Sequence, residues 1–186
     1  DYDLNKDVTV KSLTANIATG KKLSIPSPVV ITAKDGFTVT GAGTVNLGTE
    51  SQTADTKIIT EKKDINFSGT GTVTVNSPVI LDTTSGTASA IGNITIKNPF
   101  QGKIADSQPL TIKAGTGNVN LQSDMGTSVS LGDVTITGKD TTLSQSKELK
   151  AKTVSITGAK IKTEQSSKIT TAQTVALTNS DLFLTE

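Results

Sequence analysis

The sequence predicts an all-β protein, and two observations favour a parallel β-solenoid. The first is the alternation of apolar and polar residues in short runs such as FTV (37–39) and ITI (94–96), bounded by Gly, Asn, Ser and Asp. Such runs are typical of short strands. The second is a phrase that recurs as DVTITG (133–138), KTVSITG (152–158) and QTVALTN (173–179). Its valines, Val134, Val154 and Val175, are spaced by 20 and 21 residues, which is typical of stacked coils.

Coils of this length predict a single elongated domain of about nine turns, roughly 40 Å long at the spacing of parallel strands. We expect Val134, Val154 and Val175 to stack in one inward column. The N-terminal part is less regular, and all five prolines precede residue 110. We therefore assign residues 1–34 to an N-terminal strand and capping region, and residues 35–186 to solenoid repeats. Tandem β-sandwiches are the alternative fold.

A second repeat contains the motif Gly-x-Gly. FTVTGAGTVNL (37–47) aligns with INFSGTGTVTV (65–75), and IKAGTGNVNL (112–121) follows the same pattern more loosely. A phosphate-binding loop needs a helix after its glycines, whereas a strand follows them here. We interpret the motif as a turn in which one or both glycines take a positive φ.

The composition excludes several classes of chemistry. The chain has no Cys and no His, which excludes the usual zinc sites, thiol nucleophiles and the Ser-His-Asp relay. We therefore expect no metal and no cofactor. Its uninterrupted apolar runs are far shorter than the roughly 20 residues of a membrane-spanning helix, so we expect no membrane span.

The acidic residues do not recur with the coil period, and no Arg is present to bind a uronate. We interpret them as solvated turn carboxylates and expect that the protein is not an enzyme. A polysaccharide-active β-helix enzyme is the less favoured alternative. The candidate carboxylates for it are Asp82, Asp106, Asp124, Asp133 and Asp140.

The pairs Thr38/Thr40 and Thr135/Thr137 are similar to the threonine arrays of ice-binding β-helices. An ice-binding face needs such a pair at the same place in successive coils. The pair at 135 and 137 becomes Ser155/Thr157 and then Ala176/Thr178, so the threonines are better explained by strand propensity. Ice binding is kept as an alternative function.

Positive charge is concentrated late in the chain. The lysines concerned are Lys147, Lys150, Lys152, Lys160, Lys162 and Lys168. Because Arg and aromatic stacking partners are absent there and the net charge is only +1, we expect no binding to nucleic acid. The lysines are interpreted as protection of exposed strands against edge pairing, with contact to acidic glycans left open.

The phrases FTVTGAGTVNL, INFSGTGTVTV, GNVNLQS and ELKAKTVSITGAKIKT resemble the passenger regions of autotransporters and of filamentous-haemagglutinin-like exoproteins. The resemblance implies a right-handed parallel β-helix. It also implies a secreted or cell-surface protein of bacterial origin, serving as an adhesin passenger fragment or a filament-forming structural subunit. Any host or surface ligand is left unidentified by the sequence.

The two ends of the chain carry strand-like segments without a recognisable cap. These segments supply the candidate self-assembly residues Val8, Val10, Leu182, Phe183 and Leu184. Terminal coils leave backbone donors and acceptors unpaired. We therefore expect these ends either to continue into further coils of a longer precursor or to pair with another subunit, giving head-to-tail filaments.

Overall fold

The computed structural model describes residues 1–87 and 89–184, and all of its named elements are β-strands arranged in three sheets. The first sheet contains β1 (Tyr2–Asp3), β4 (Lys22–Ile25), β7 (Thr44–Leu47), β10 (Val73–Val75) and β13 (Phe100–Gly102). The second contains β2 (Val8–Val10), β5 (Val30–Ala33), β8 (Thr56–Ile59), β11 (Val79–Asp82), β14 (Leu110–Lys113), β16 (Leu131–Thr137), β18 (Glu148–Thr157), β20 (Lys168–Thr171) and β21 (Val175–Thr178). The third contains β3 (Leu13–Ile17), β6 (Phe37–Gly41), β9 (Ile65–Phe67), β12 (Ile94–Ile96), β15 (Val119–Leu121), β17 (Asp140–Leu143), β19 (Lys160–Thr163) and β22 (Asp181–Leu184).

The chain winds through the three sheets in turn and forms a β-solenoid. The third sheet has eight strands, one from each coil, so the solenoid has about eight turns, close to the nine predicted. Every pair of named strands is parallel. The alternative of tandem β-sandwiches is therefore wrong, because sandwiches are built from antiparallel pairs.

The predicted valine column is confirmed by the strand register. Val134 pairs with Val154, and Val154 pairs with Val175, so the three residues occupy equivalent positions in successive coils. Val134 and Val154 are buried, whereas Val175 is 43% exposed. The difference arises because Val175 belongs to the last described coil, where no further strand covers the column.

The core consists of such columns of inward side chains. One column of the third sheet runs Leu13, Phe37, Ile65, Ile94, Val119, Thr141, Ile161 and Leu182. β-Branched and aliphatic residues suit this interior, because side chains at equivalent positions of successive coils must pack on one another without gaps at the spacing of the strands. Three buried phenylalanines pack together in this interior: the Phe67 ring lies between those of Phe37 and Phe100, with centroid distances of 5.7 and 5.1 Å.

The first two Gly-x-Gly motifs form one corner of the solenoid, between the third and first sheets. Gly69 and Gly71 stack directly on Gly41 and Gly43 of the preceding coil. A Cβ on Gly71 would overlap the backbone oxygen of Gly43, and a Cβ on Gly69 would overlap that of Gly41. The predicted turn is confirmed, but its cause is mainly the close approach of two backbones, because only Gly41 of these four has a positive φ, of 91°.

Asn98 takes the corresponding position in the next coil. Its side chain is buried, its Oδ1 accepts a hydrogen bond from the Gly69 N–H at 2.8 Å, and its Nδ2 donates to the Gly71 carbonyl at 2.7 Å. One amide side chain thus satisfies two backbone groups that the glycine stack leaves at the corner.

The third Gly-x-Gly motif is not equivalent to the other two. Gly115 and Gly117 connect β14 of the second sheet to β15 of the third, which is a different corner of the coil. Gly117 stacks on Gly92 instead. The looser sequence match of residues 112–121 to residues 37–47 was therefore wrong as a structural alignment, because glycine serves close approach at both corners.

The repeat spacing in the N-terminal part of the chain is irregular because the segments that connect strands at the corners of the coil differ in length. Phe37 and Ile65 pair in register although they lie 28 residues apart, whereas Val134 and Val154 are 20 residues apart. In the C-terminal half, β18 is one continuous strand whose first residues pair with β20 and whose last residues pair with β21. The coil that contains β18 therefore lacks one corner. The predicted domain boundary between residues 34 and 35 stays a prediction; strands on both sides of it, such as β3 and β6, pair in parallel.

Candidate functional site

The aspartates considered for catalysis are dispersed along the coil and mostly hold neighbouring coils together. Asp124 Oδ1 accepts from the Glu148 N–H at 3.0 Å, Asp133 Oδ1 from the Thr153 hydroxyl at 2.8 Å, and Asp106 Oδ1 from the Ser130 hydroxyl at 2.7 Å. Asp82 accepts from the backbone N–H of Thr84 within its own turn. Asp106 is an exposed turn residue, as expected from the sequence, but all four carboxylates also accept structural hydrogen bonds, which the sequence did not predict.

Glu148 has a perturbed pKa. The Thr170 hydroxyl donates a hydrogen bond to its Oε1 at 2.7 Å, and this bond, followed by contact with Lys168, lowers the pKa of Glu148 below its usual range although partial burial acts in the opposite direction. A general acid needs a raised pKa. Glu148 is therefore suited to remain ionised and to join β18 to β20.

The described residues contain neither a metal-binding cluster nor a membrane-spanning helix. Within residues 1–87 and 89–184, no group of three or more acidic side chains is placed to hold a metal ion. The same part of the chain contains no helix of the length and apolar character needed to cross a bilayer.

The threonine pairs do not build the array that ice binding requires. On the outer face of the second sheet, the row at Thr135/Thr137 is continued toward the N-terminus by Thr111/Lys113 and Ile80/Asp82. Over the described strands of this face, charged and aliphatic residues interrupt the threonines within two coils. Strand propensity accounts for their presence.

The late lysines are divided between sheets. Lys160 and Lys162 lie on β19 of the third sheet, whereas Lys150 and Lys152 lie on β18. Lys168 forms an ion pair with Glu148 at 3.3 Å. Because the lysines do not form one continuous cationic stripe, the geometry offers no track for a phosphate backbone. The absence of nucleic-acid binding stays a prediction.

The predicted self-assembly residues lie on edge strands at the two ends of the solenoid. Val8 and Val10 belong to β2, the first strand of the second sheet, and both are half-buried. Leu182, Phe183 and Leu184 belong to β22, which is the edge strand of the third sheet.

The C-terminal end presents an open cross-section of the core. Leu182 is in register with buried Ile161, and Leu177 is in register with buried Ile156. Together with Val175 and Leu184, which is 70% exposed, they continue the inward columns, and no residue in the described part of the chain covers them. These apolar side chains and the unpaired edges of β21 and β22 form a surface that we name the open end.

Phe183 has a different environment from its two neighbours. It pairs with Lys162, which pairs with Thr142, and these three residues lie on the outer face of the third sheet. Together with Asp140, Thr141 and Lys160 they line a cavity of about 300 Å³, which we name the lateral groove. The sequence placed these residues in separate groups, although their spacing of about one coil could have indicated that they meet.

The chain was compared with known proteins. It matches no protein-family model, no curated protein and no solved structure. The fold confirms the β-solenoid that the resemblance implied. Membership in the autotransporter or filamentous-haemagglutinin-like families stays a prediction.

Proposed function

We propose that this protein is a non-enzymatic structural rod, secreted or displayed on a bacterial cell surface, that lengthens end to end by parallel strand addition. It would serve as a segment of an adhesin passenger or as a subunit of a filament. The proposal rests on the open end. There Leu177, Leu182 and Leu184 occupy positions that continue the inward columns of the core, but their side chains are exposed.

The physical argument concerns what can cover this surface. A parallel strand placed beside β22 would pair its backbone groups and bury Leu182 and Leu184 together. At the other end, β2 and β3 are edge strands of the second and third sheets and offer matching parallel edges. Strands of the same geometry, from further coils or from a second copy, are therefore the natural complement of the open end.

The 186-residue chain tests the second-copy form of this proposal. Sedimentation and light scattering over a wide concentration range, with electron microscopy of the concentrated sample, should show head-to-tail species whose fraction rises with concentration. The double variant Leu182→Lys/Leu184→Lys should remain monomeric, because two charges would enter the buried contact.

Phe183→Lys is the matched control. It changes the same strand, but the side chain points to the lateral face, so assembly should persist. A wild-type chain that stays monomeric throughout would overturn self-assembly. Equal loss of assembly in the control would show that the contact does not use the inward columns.

A further inference from the structure

We propose that the open end of one copy binds the N-terminal end of a second copy in a single register, in which β2 and β3 of the second copy stack on β21 and β22 of the first. The inference deepens the proposed function and rests on it, because it specifies the partner and the register of the end-to-end contact. The second copy takes the place of the next coil.

The register follows from inward columns that run the whole length of the solenoid. In the second sheet, one column begins at Val8 and ends at Leu177. In the third sheet, the column that begins at Leu13 ends at Leu182. A copy added as the next coil continues both columns at once only if the corner between the two sheets has the same length at both ends of the molecule.

The two corners do have the same length. Leu13 follows Val8 by five positions. Leu182 follows Leu177 by five positions as well. Corners of this length already stack on one another within the chain, from Ile136 to Thr141 and from Ile156 to Ile161. In the intervening coils the same corner takes six, seven or 13 positions, as from Ile31 to Phe37, Ile58 to Ile65 and Leu81 to Ile94.

The N-terminal end has a recess where the open end has a projection. A cavity of about 270 Å³ lies along the edge of β3, and Leu13, Ala15 and Ile17 are among the residues that line it. Ala15 begins the column that ends at Leu184, so the register places Leu184 opposite the small side chain of Ala15. Contact would remove apolar surface of both ends from water.

Lys6 is compatible with this register. It precedes β2, is exposed, and would lie opposite Val175 at the start of β21. The aliphatic stem of a lysine covers an apolar neighbour while its ammonium group stays in water. Val175 is therefore shielded without burial of a charge.

Asp181 provides a polar contact in the same register. Asp64 Oδ1 accepts a hydrogen bond from the Asn93 N–H of the next coil at 2.7 Å, and Asn93 Oδ1 accepts one from the Asn118 N–H at 2.9 Å. Asp181 occupies the equivalent position in the last described coil, and the next position belongs to Ser12 of the second copy. Within the described part of the chain, the Asp181 carboxylate has no donor and the Ser12 N–H has no acceptor. Each group therefore supplies what the other lacks.

The test is disulfide cross-linking between two full-length variants, since the chain contains no Cys of its own. The register places Thr14 opposite Phe183 on the outer face, at the spacing of neighbouring strands, which a disulfide spans. A mixture of Thr14→Cys and Phe183→Cys should therefore give a cross-linked heterodimer under mild oxidation. Thr9→Cys mixed with Thr178→Cys tests the second sheet in the same way and should also cross-link.

Asn16→Cys mixed with Phe183→Cys is the matched control. Asn16 lies on the same face of β3 as Thr14, but two residues further along, which adds about 7 Å of displacement. This pair should cross-link at least about tenfold more slowly, because a disulfide cannot bridge that separation without backbone movement. Each single variant alone measures the homodimer formed by random collision.

Sedimentation of the same mixtures under reducing conditions reports assembly separately from register. Assembly with both in-register pairs cross-linked supports the proposal. Assembly without that pattern overturns the register and leaves the rod intact: the control pair cross-links as fast, only one in-register pair reacts, or homodimers equal heterodimers. A chain that stays monomeric at every concentration overturns both the register and self-assembly.

Discussion

Gly71 shows how a single residue is determined by the stacking of coils. Its α-carbon faces the backbone oxygen of Gly43 in the preceding coil, and a methyl group cannot be accommodated without moving one backbone away from the other. At this corner the next coil adds Asn98, whose buried amide bonds both to Gly69 and to Gly71. Displacement of Gly71 therefore also disturbs two buried hydrogen bonds.

We predict that Gly71→Ala destabilises the protein by about 3 kcal/mol or more, since overpacking and disturbed buried hydrogen bonds act together. The measurement is the free energy of unfolding in denaturant. Thr70→Ala is the control, because Thr70 lies between the two glycines and is exposed; its effect should stay within about 0.5 kcal/mol. Similar losses in the two variants would contradict a requirement specific to close backbone approach.

At the scale of the element, the alternation within each strand separates core from surface. In β18, Ile156 is buried between Ile136 and Leu177 of the neighbouring coils, whereas the adjacent Ser155 lies on the outer face between Thr135 and Ala176. Successive side chains of a strand point to opposite faces, so these neighbours in sequence have opposite environments.

We predict that Ile156→Asp lowers the free energy of unfolding by about 4 kcal/mol or more, because an unpaired carboxylate would enter the core. Ser155→Asp introduces the same charge on the outer face of the same strand and should cost no more than about 1 kcal/mol. Thermal and denaturant unfolding of both variants provide the measurement. A stable Ile156→Asp variant would be inconsistent with the inward column.

Strands and their faces were predictable because period-2 alternation is a local property of the chain. The strand register was predictable only from Val134 onward, where the coil period is nearly constant and similar short sequence motifs recur. In the N-terminal part the corners differ in length, and local pattern does not show which strand lies beside which. The wrong placement of the motif at Gly115 and Gly117 has this cause.

At the scale of the whole molecule, stability should vary along the axis. Each coil contacts only its neighbours, so the contribution of a side chain depends on whether coils lie on both sides of it. Ile161 and Leu182 occupy adjacent positions of one inward column, but they are 2% and 49% exposed, respectively. They are therefore a matched pair that differs mainly in position along the axis.

We predict that Ile161→Ala costs about 2 to 5 kcal/mol in a monomeric sample, as expected for a buried aliphatic side chain. Leu182→Ala should cost less than about 1 kcal/mol, because much of its side chain is already in water. Denaturant unfolding at low protein concentration makes the comparison. Equal costs in monomers would indicate that the last coil is covered in a way the structure does not show.

The candidate surfaces were only partly accessible to prediction. The apolar residues of β22 were predictable, because the sequence shows a strand-like segment there and no recognisable capping motif. The structure places Leu182 and Leu184 at positions that continue the inward columns of the preceding coils. The lateral groove was not predicted, although Asp140, Lys160 and Phe183 lie in the part of the chain where the coil period is constant. Their convergence requires the register of three successive coils.

The sequence by itself determined the all-β class, the inward and outward faces of most strands, the repeat length of the last coils and the absence of His and Cys chemistry. These properties follow from composition and from periodicities shorter than one coil. Tertiary structure alone decided which corners stack and how Asn98 completes the glycine corner. The physical reason is that parallel pairing joins residues 20 to 31 positions apart, as in Val134 with Val154 and Leu81 with Ile112, and unequal corners conceal that pairing from any local pattern.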